Sequence, residues 1–269
     1  MKTNIKPKVA LILGDPNGIG PELAAKLIAE EQTSARANLV IIADKKVLEE
    51  GMRIGGVEFN YRIAETITES EFSDDIPVLL ASPRYKGDDS ERGKVSEVSG
   101  RYQLDCLTRG IELCTKGLVD SLCFAPLNKE AMHQAGLTHE DESGLFLDLL
   151  NHTGDFGLLN TLGNLWTSRA TSHVSHRQVS ELLSEESILI AARVLDKALR
   201  ACGKSNPKIA VAGLNPHAGD GGMFGSEEID IIEPAVIKAQ QQGINVEGPF
   251  PPDTIFLMGR DGKYDAIVT

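Results

Sequence analysis

The sequence predicts an α/β fold with a largely parallel sheet covered by helices, and three observations predict it. Short apolar runs bounded by turn residues recur along the whole chain, and stretches with helical spacing follow them. Gly- and Pro-rich segments stand at the ends of several of those runs, where open α/β sheets bind their ligands.

Taken in order, Val9-Ala10-Leu11-Ile12-Leu13 reads as a buried strand, followed by a Gly/Pro-rich turn and a helix from about Pro21 to Glu31. Leu39-Val40-Ile41-Ile42 is a second strand, with Ala43-Asp44 leading into another helix, and Pro77-Val78-Leu79-Leu80 is a third. A helical stretch from about Val95 to Lys116 leads into the strand Ser121–Ala125. Ser184 is an N-cap candidate, because Glu185 and Glu186 behind it suit the positive end of a helix. Ile188, Ala191, Ala192, Leu195, Ala198 and Leu199 then fall on one helical face, which marks core packing. Lys208–Leu214 is a strand ending at Asn215-Pro216-His217, and a helix from about Glu227 to Gln242 stops at Gly243, a residue suited to a helix C-terminus. Tyr264–Thr269 reads as an apolar strand just begun, so truncation is expected there, with an edge strand as the alternative.

The 269 residues suffice for one large domain or two modest ones. Hydrophobic residues make up 41%, enough for a packed core, and the formal charge of -12 argues against a nucleic-acid partner. An anionic small molecule remains compatible, since a cleft can be locally positive in an acidic protein. Cys106, Cys114, Cys123 and Cys202 form no C-x-x-C pair, so reduced thiols are expected, with Cys123 in a buried strand. Residues 1–6 run directly into a strand rather than a signal-peptide core, and no apolar run approaches the roughly 20 residues that cross a bilayer. A cytoplasmic protein with no membrane partner is expected.

Three stretches carry chemistry. Gly14-Asp15-Pro16-Asn17-Gly18-Ile19-Gly20-Pro21-Glu22 can turn sharply and approach a ligand. It lacks the Gly-Lys-Ser/Thr of a Walker A loop and the spacing of a dinucleotide loop, so structural turn and site loop both remain open. That missing lysine also argues against a phosphate-transfer enzyme. Ala125-Pro126-Leu127-Asn128-Lys129-Glu130 places Lys129 where it could hold an anion or move a proton, or simply lie in solvent at a helix start. His173 and His217 each follow a strand, and two imidazoles so placed could share a cation or be structural. His176 competes with His173, whereas His133, His139 and His152 read as surface residues. A firm metal site needs a further ligand, such as a third histidine or a carboxylate like Asp253.

Together, Gly14–Glu22, Ala125–Lys129, Leu214-Asn215-Pro216-His217-Ala218-Gly219 and Pro251-Pro252-Asp253-Thr254 closely resemble, in order, the 4-hydroxythreonine-4-phosphate dehydrogenase family, and Glu227-Glu228 fits its pattern. The resemblance implies a two-domain isocitrate/isopropylmalate-dehydrogenase-like fold with an interdomain cleft and a homodimer. Residues 1–127 plus about 255–269 would form the first domain, and 128–254 the second, carrying the metal histidines. It implies NAD and one divalent metal held by three histidines: zinc foremost, magnesium or cobalt as alternatives. His173 and His217 match the first two; the third lies in a Tyr-His-Asp-Gln-Gly stretch expected beyond Thr269.

The implied reaction is oxidation, with decarboxylation, of a small hydroxy acid such as 4-phosphohydroxy-L-threonine, as in pyridoxine biosynthesis. The alternatives are a threonate- or erythronate-type sugar-acid phosphate, a cis-dihydrodiol acid, or an inactive truncated metal-binding fragment. Lys129 and Asp253 are the candidates for proton transfer, and Asp15, Glu142, Ser143 and Asn215 for substrate contact. One departure stands out. Where the family has Gly-His-Thr-Glu, this chain has Asp141-Glu142-Ser143-Gly144, so Glu142 replaces a histidine expected at the substrate phosphate. A carboxylate there repels a phosphate; either the substrate carries none at that point or His139 takes over.

Overall fold

The computed structural model describes residues 6–68, 72, 75–81, 83–87 and 91–269; the N-terminal reading over residues 1–5 lies outside them. The chain divides into two compact units, Met1–Thr153 and Gly154–Thr269.

The first unit holds a five-stranded sheet in the order β3-β4-β2-β1-β5, all parallel. Its strands are β1 (Lys8–Ile12), β2 (Asn38–Ile42), β3 (Arg62–Ala64), β4 (Val78–Leu80) and β5 (Ser121–Phe124). Helices α1 (Gly20–Ala29), α2 (Glu31–Arg36), α3 (Lys45–Gly55), α4 (Glu97–Thr115), α5 (Lys129–Gln134) and α6 (Glu142–Leu149) complete it. Strands covered on both faces read as unbroken apolar runs, which is why β1, β2 and β4 were legible. Their side chains form the core with Leu107, Leu113 and Met132. Strand β5 lies at the sheet's edge and corrects one expectation: Cys123 is exposed there, and Phe124 is 38% exposed. All four cysteines are free, and burial pushes the Cys106 thiol well above the ordinary range.

The second unit has its own five-stranded sheet, β6-β7-β10-β8-β9. Strands β6 (Leu159–Leu162) and β7 (Leu165–Ser168) form an antiparallel hairpin, while β8 (Ile209–Ala212), β9 (Val246–Phe250) and β10 (Ala266–Val268) continue the sheet in parallel. The helices are α7 (Val179–Leu182), α8 (Glu185–Ala201), α9 (Glu233–Gln241) and α10 (Pro252–Arg260). Ser184 caps α8, accepting from Ser187 N at 3.1 Å, and the expected face of α8 is buried through Ile188, Ala191, Ala192, Leu195 and Leu199. The helix expected from Glu227 begins with a π-turn, Glu228–Ile232, before α9. No helix among the described residues is long and apolar enough to cross a membrane.

The division between units falls elsewhere than the sequence placed it. Residues 128–153 stay with the first unit because α5 packs on α4 at Gly100, where a Cβ would come within 1.8 Å of the Ala131 carbonyl oxygen. Residues 255–269 stay with the second because β10 is its middle strand, paired with β7 on one side and β8 on the other.

Candidate functional site

In the first unit the two motif loops are locked together. Gly14 has φ +78, and any Cβ there would meet the Pro126 carbonyl oxygen at 2.3 Å, so glycine is what lets the loops touch. Asp15 N donates to the same oxygen at 3.0 Å. The Asp15 side chain, 6% exposed, accepts from Asn17 N at 2.9 Å and from Asn128 Nδ2 at 3.2 Å. Asn128 in turn caps α5 by accepting from Ala131 N at 3.0 Å, and its own N donates to buried Gln103 Oε1 at 2.7 Å. Both carboxylate oxygens of Asp15 are therefore engaged inside the loops.

Asn17 continues the network. It accepts from the Tyr85 hydroxyl at 2.7 Å, donates to Lys94 O at 3.3 Å, and its carbonyl accepts from Gly93 N at 2.8 Å. Burial, followed by the neighbouring Glu91 carboxylate, pushes the Tyr85 hydroxyl far above the usual phenol range, so it stays a neutral donor. Asn17, Tyr85 and Asn128 had no signal beyond their place in or near the motifs, and sequence reasoning missed their parts.

Lys129 is the first residue of α5, exposed, with no hydrogen bond or ion pair among the described residues. Glu142 opens α6, half-buried, behind the Asp141 cap, which accepts from Ser143 N at 2.9 Å. His139 has its Nε2 2.6 Å from Asp148 Oδ2. Its ring fills the space over Gly144, where a Cβ would come within 2.4 Å of the imidazole. The glycine at 144 and the tethered His139 thus belong to one local arrangement.

In the second unit the parallel strands deliver both metal-candidate histidines. His173 follows β7 and His217 follows β8, and these strands flank β10, which sets their ends about 10 Å apart at an inter-strand spacing of about 4.8 Å. A cavity of about 170 Å³ lies at these strand ends, lined among others by Thr171, Val211, Leu214, Ile232, Phe256 and Thr269. Thr171 and Leu214 belong to the two loops that carry the histidines, so both loops border one cavity. Both imidazoles are exposed, and both residues have φ +56. His176 starts a separate exposed 3-10 turn.

The His217 loop has an unusual backbone. His217, Ala218, Gly219, Asp220 and Gly221 all have positive φ, a left-handed turn of which three residues carry side chains. Left-handed backbone costs an L-residue roughly 1–2 kcal/mol, so this turn holds about 3–6 kcal/mol of strain that its surroundings must offset. Asn215, expected at the substrate, is engaged from behind: its N donates to Glu228 Oε1 at 2.7 Å, and its Nδ2 lies 2.8 Å from Glu228 Oε2 and 2.7 Å from Glu227 Oε2. Asp253 sits exposed in the first turn of α10, which packs against the 216–222 turn. Among the described residues, Lys129, Glu142, His173, His217 and Asp253 thus present side chains without a hydrogen-bond or ion-pair partner, whereas Asp15 and Asn215 hold loops in shape. Among the described residues no three His, Cys, Asp or Glu side chains stand together as a complete metal site.

Comparisons with known proteins agree on a family. The profile described as "Pyridoxal phosphate biosynthetic protein PdxA" matches residues 35–269. "Putative 4-hydroxythreonine-4-phosphate dehydrogenase 2" of Pseudomonas aeruginosa is 47% identical over 265 residues, covering 98% of this chain and 79% of that one. The D-threonate 4-phosphate dehydrogenase of Salmonella typhimurium is 36% identical over 262 residues, covering 97% and 79%. The crystal structure of 4-hydroxythreonine-4-phosphate dehydrogenase from Klebsiella pneumoniae superposes with a TM-score of 0.88 at 34% identity, over 98% of this chain and 81% of that one. The chain shares that fold, the isocitrate/isopropylmalate-dehydrogenase-like α/β architecture expected from the sequence.

Proposed function

Because the chain belongs to the PdxA family, we propose that it is a dehydrogenase of a small phosphorylated hydroxy acid, of the 4-phosphohydroxy-L-threonine or D-threonate 4-phosphate type, with NAD as hydride acceptor and a divalent cation. The observation that carries the reading is the shared cavity: the loops bearing His173 and His217 both border it, at the C-terminal strand ends where α/β enzymes bind ligands. Neutral imidazole suits zinc and its neighbours, so these two residues would serve as donors, and a catalytic site of this kind would need a third. A bound divalent cation supplies Lewis-acid polarisation of the substrate hydroxyl.

The chain's own residues do the rest. His173 and His217 would hold the cation. Asp253, which lies in the same unit and has no hydrogen bond or ion pair among the described residues, is the candidate to take the hydroxyl proton as the hydride on the same carbon leaves. The left-handed turn sets the backbone from which the His217 imidazole projects. Where the oxidised carbon lies beta to a carboxylate, the product is a β-keto acid, and CO2 loss follows.

A screen of the protein against phosphorylated and unphosphorylated hydroxy acids, following NADH absorbance with and without added Zn2+, Mg2+ or Co2+, tests this reading. NADH formation on a phosphorylated hydroxy acid, stimulated by one of these ions, is expected. A folded protein that reduces no NAD with any of them would refute it.

Glu142 makes a second prediction. Its carboxylate opens α6 without a partner among the described residues and would repel a substrate phosphate placed there. Glu142→His should raise kcat/KM for phosphorylated relative to unphosphorylated substrates about tenfold, the equivalent of ~1.4 kcal/mol of charge interaction near a protein surface. An unchanged ratio would place the phosphate elsewhere.

A further inference from the structure

We propose that Glu228 is the positioning residue for His217: its buried carboxylate clamps Asn215 and props the left-handed turn that presents the imidazole. Glu228 is 3% exposed and makes no ion pair with a basic side chain among the described residues. A buried carboxylate without a cation is unfavourable unless hydrogen bonds or a structural role compensate. Among the described residues its hydrogen bonds all come from one residue, Asn215, through both the backbone N and the side-chain amide. Asn215 stands two positions before His217, at the N-cap of the turn.

The surroundings are shaped for this carboxylate. At Gly219, inside the turn, a Cβ would meet Glu228 Oε2 at 2.8 Å. At Gly213, before the turn, it would meet Glu228 Oε1 at 3.1 Å and the Ala218 Cα at 3.0 Å. At Gly225, after the turn, it would meet Asn215 Nδ2 at 2.4 Å. Three glycines therefore leave room for a single acid–amide pair, with His217 on the stretch of backbone wrapped round it. Glu228 is also the first residue of the π-turn before α9, an irregularity that sequences keep where a side chain must be aimed.

Two consequences follow. With an amide in place of the carboxylate, only one oxygen is left to accept from Asn215 and an NH2 faces its Nδ2, donor against donor, so the clamp opens and the left-handed residues lose the support that offsets their strain. The carboxylate, which has no cationic side chain beside it among the described residues, also favours a cation at the imidazole. Only this affinity consequence rests on reading His217 as a metal ligand; the geometric claim does not.

The experiment uses the full chain, metal-free, and compares it with Glu228→Gln, which keeps size and one acceptor oxygen, and with Glu227→Gln as the neighbouring control. Hydrogen exchange by NMR is read at Asn215, Ala218 and Phe224, whose N–H groups donate to Glu228 Oε1, Asn215 O and Gly219 O. In Glu228→Gln these amides should exchange at least ten times faster and the His217 ring signals should shift, while amides of β8 and β10 keep their rates. Glu227→Gln should move them much less. Unchanged exchange and ring signals in Glu228→Gln overturn the proposal, as does equal loosening throughout β8 and β10, which would make the residue a general stabiliser. Titration with Co2+, read by its visible absorption, separates the two claims. Glu228→Gln should weaken binding about tenfold, with no further loss in a His217→Asn background. If His217→Asn alone leaves Co2+ binding intact, the metal reading falls, and the exchange rates still decide the role of Glu228.

Discussion

Replacing His217 with asparagine is expected to lower turnover a thousandfold or more and to abolish stimulation by the divalent ion. Asparagine is the informative replacement because residue 217 has φ +56, a conformation asparagine tolerates better than alanine or any branched residue. The turn can then keep its shape while the imidazole is lost. A cation that polarises the reacting hydroxyl contributes several kcal/mol to the barrier, and each 1.36 kcal/mol is tenfold in rate, so about a thousandfold is the scale to expect. Steady-state kinetics with saturating Zn2+, beside a metal titration of the same protein, makes the measurement. Turnover within tenfold of the parent, or undiminished ion uptake, would remove His217 from the chemistry.

Gly14→Ala should cost the first unit about 3–5 kcal/mol and lower its melting temperature by roughly 10 °C. Two effects add. The backbone is left-handed, φ +78, which strains any L-residue, and the new methyl would lie 2.3 Å from the Pro126 carbonyl oxygen and 2.8 Å from that of Ala125. Neither carbonyl belongs to a flexible side chain, so the Gly14–Glu22 and Ala125–Glu130 loops must part, and the Asp15–Asn128 contact goes with them. Gly56→Ala isolates the first effect, because Gly56 has φ +63 but open space around it, and it should cost only about 1–2 kcal/mol. Thermal unfolding of both variants settles the matter: equal losses would mean that strain alone, and not the meeting of the loops, makes residue 14 a glycine.

The sheets were legible where burial is two-sided. Val9–Leu13, Leu39–Ile42 and Lys208–Leu214 are runs of apolar residues because parallel central strands face core on both sides, and the strands formed there. Helix starts were legible through chemistry, as with Ser184. Ser121–Phe124 misled because an edge strand can be as apolar in sequence as a central one, and exposure depends on neighbours that no local pattern encodes. The unit boundary was misplaced for the same reason: the glycine contact between α4 and α5, and the insertion of Ala266–Val268 between two earlier strands, are long-range facts.

Of the candidate site, the residues with free groups were visible from type and position. What positions them was not. Asp15 and Asn215 carry the polarity of substrate contacts but spend it on Asn17, Asn128 and the Glu227–Glu228 pair, partners set by tertiary geometry. The left-handed run from His217 to Gly221 had a faint signal in the three glycines of 219–222, and none in His217 or Ala218 themselves.

The middle place of Ala266–Val268 in the second sheet bears on how the protein is made. A ribosome that has released residue 153 has already delivered every strand of the first sheet, the last of which ends at Phe124. The second sheet is different: its hairpin and its β8–β9 pair have no hydrogen bonds to each other and stay separate until residue 268 emerges to join them. At 5–20 residues per second, the stretch from β8 to β10 takes about 3–11 s to synthesise, during which the facing edges of β7 and β8 both wait open. Through that interval the nascent second unit is open to chaperone capture at those two edges.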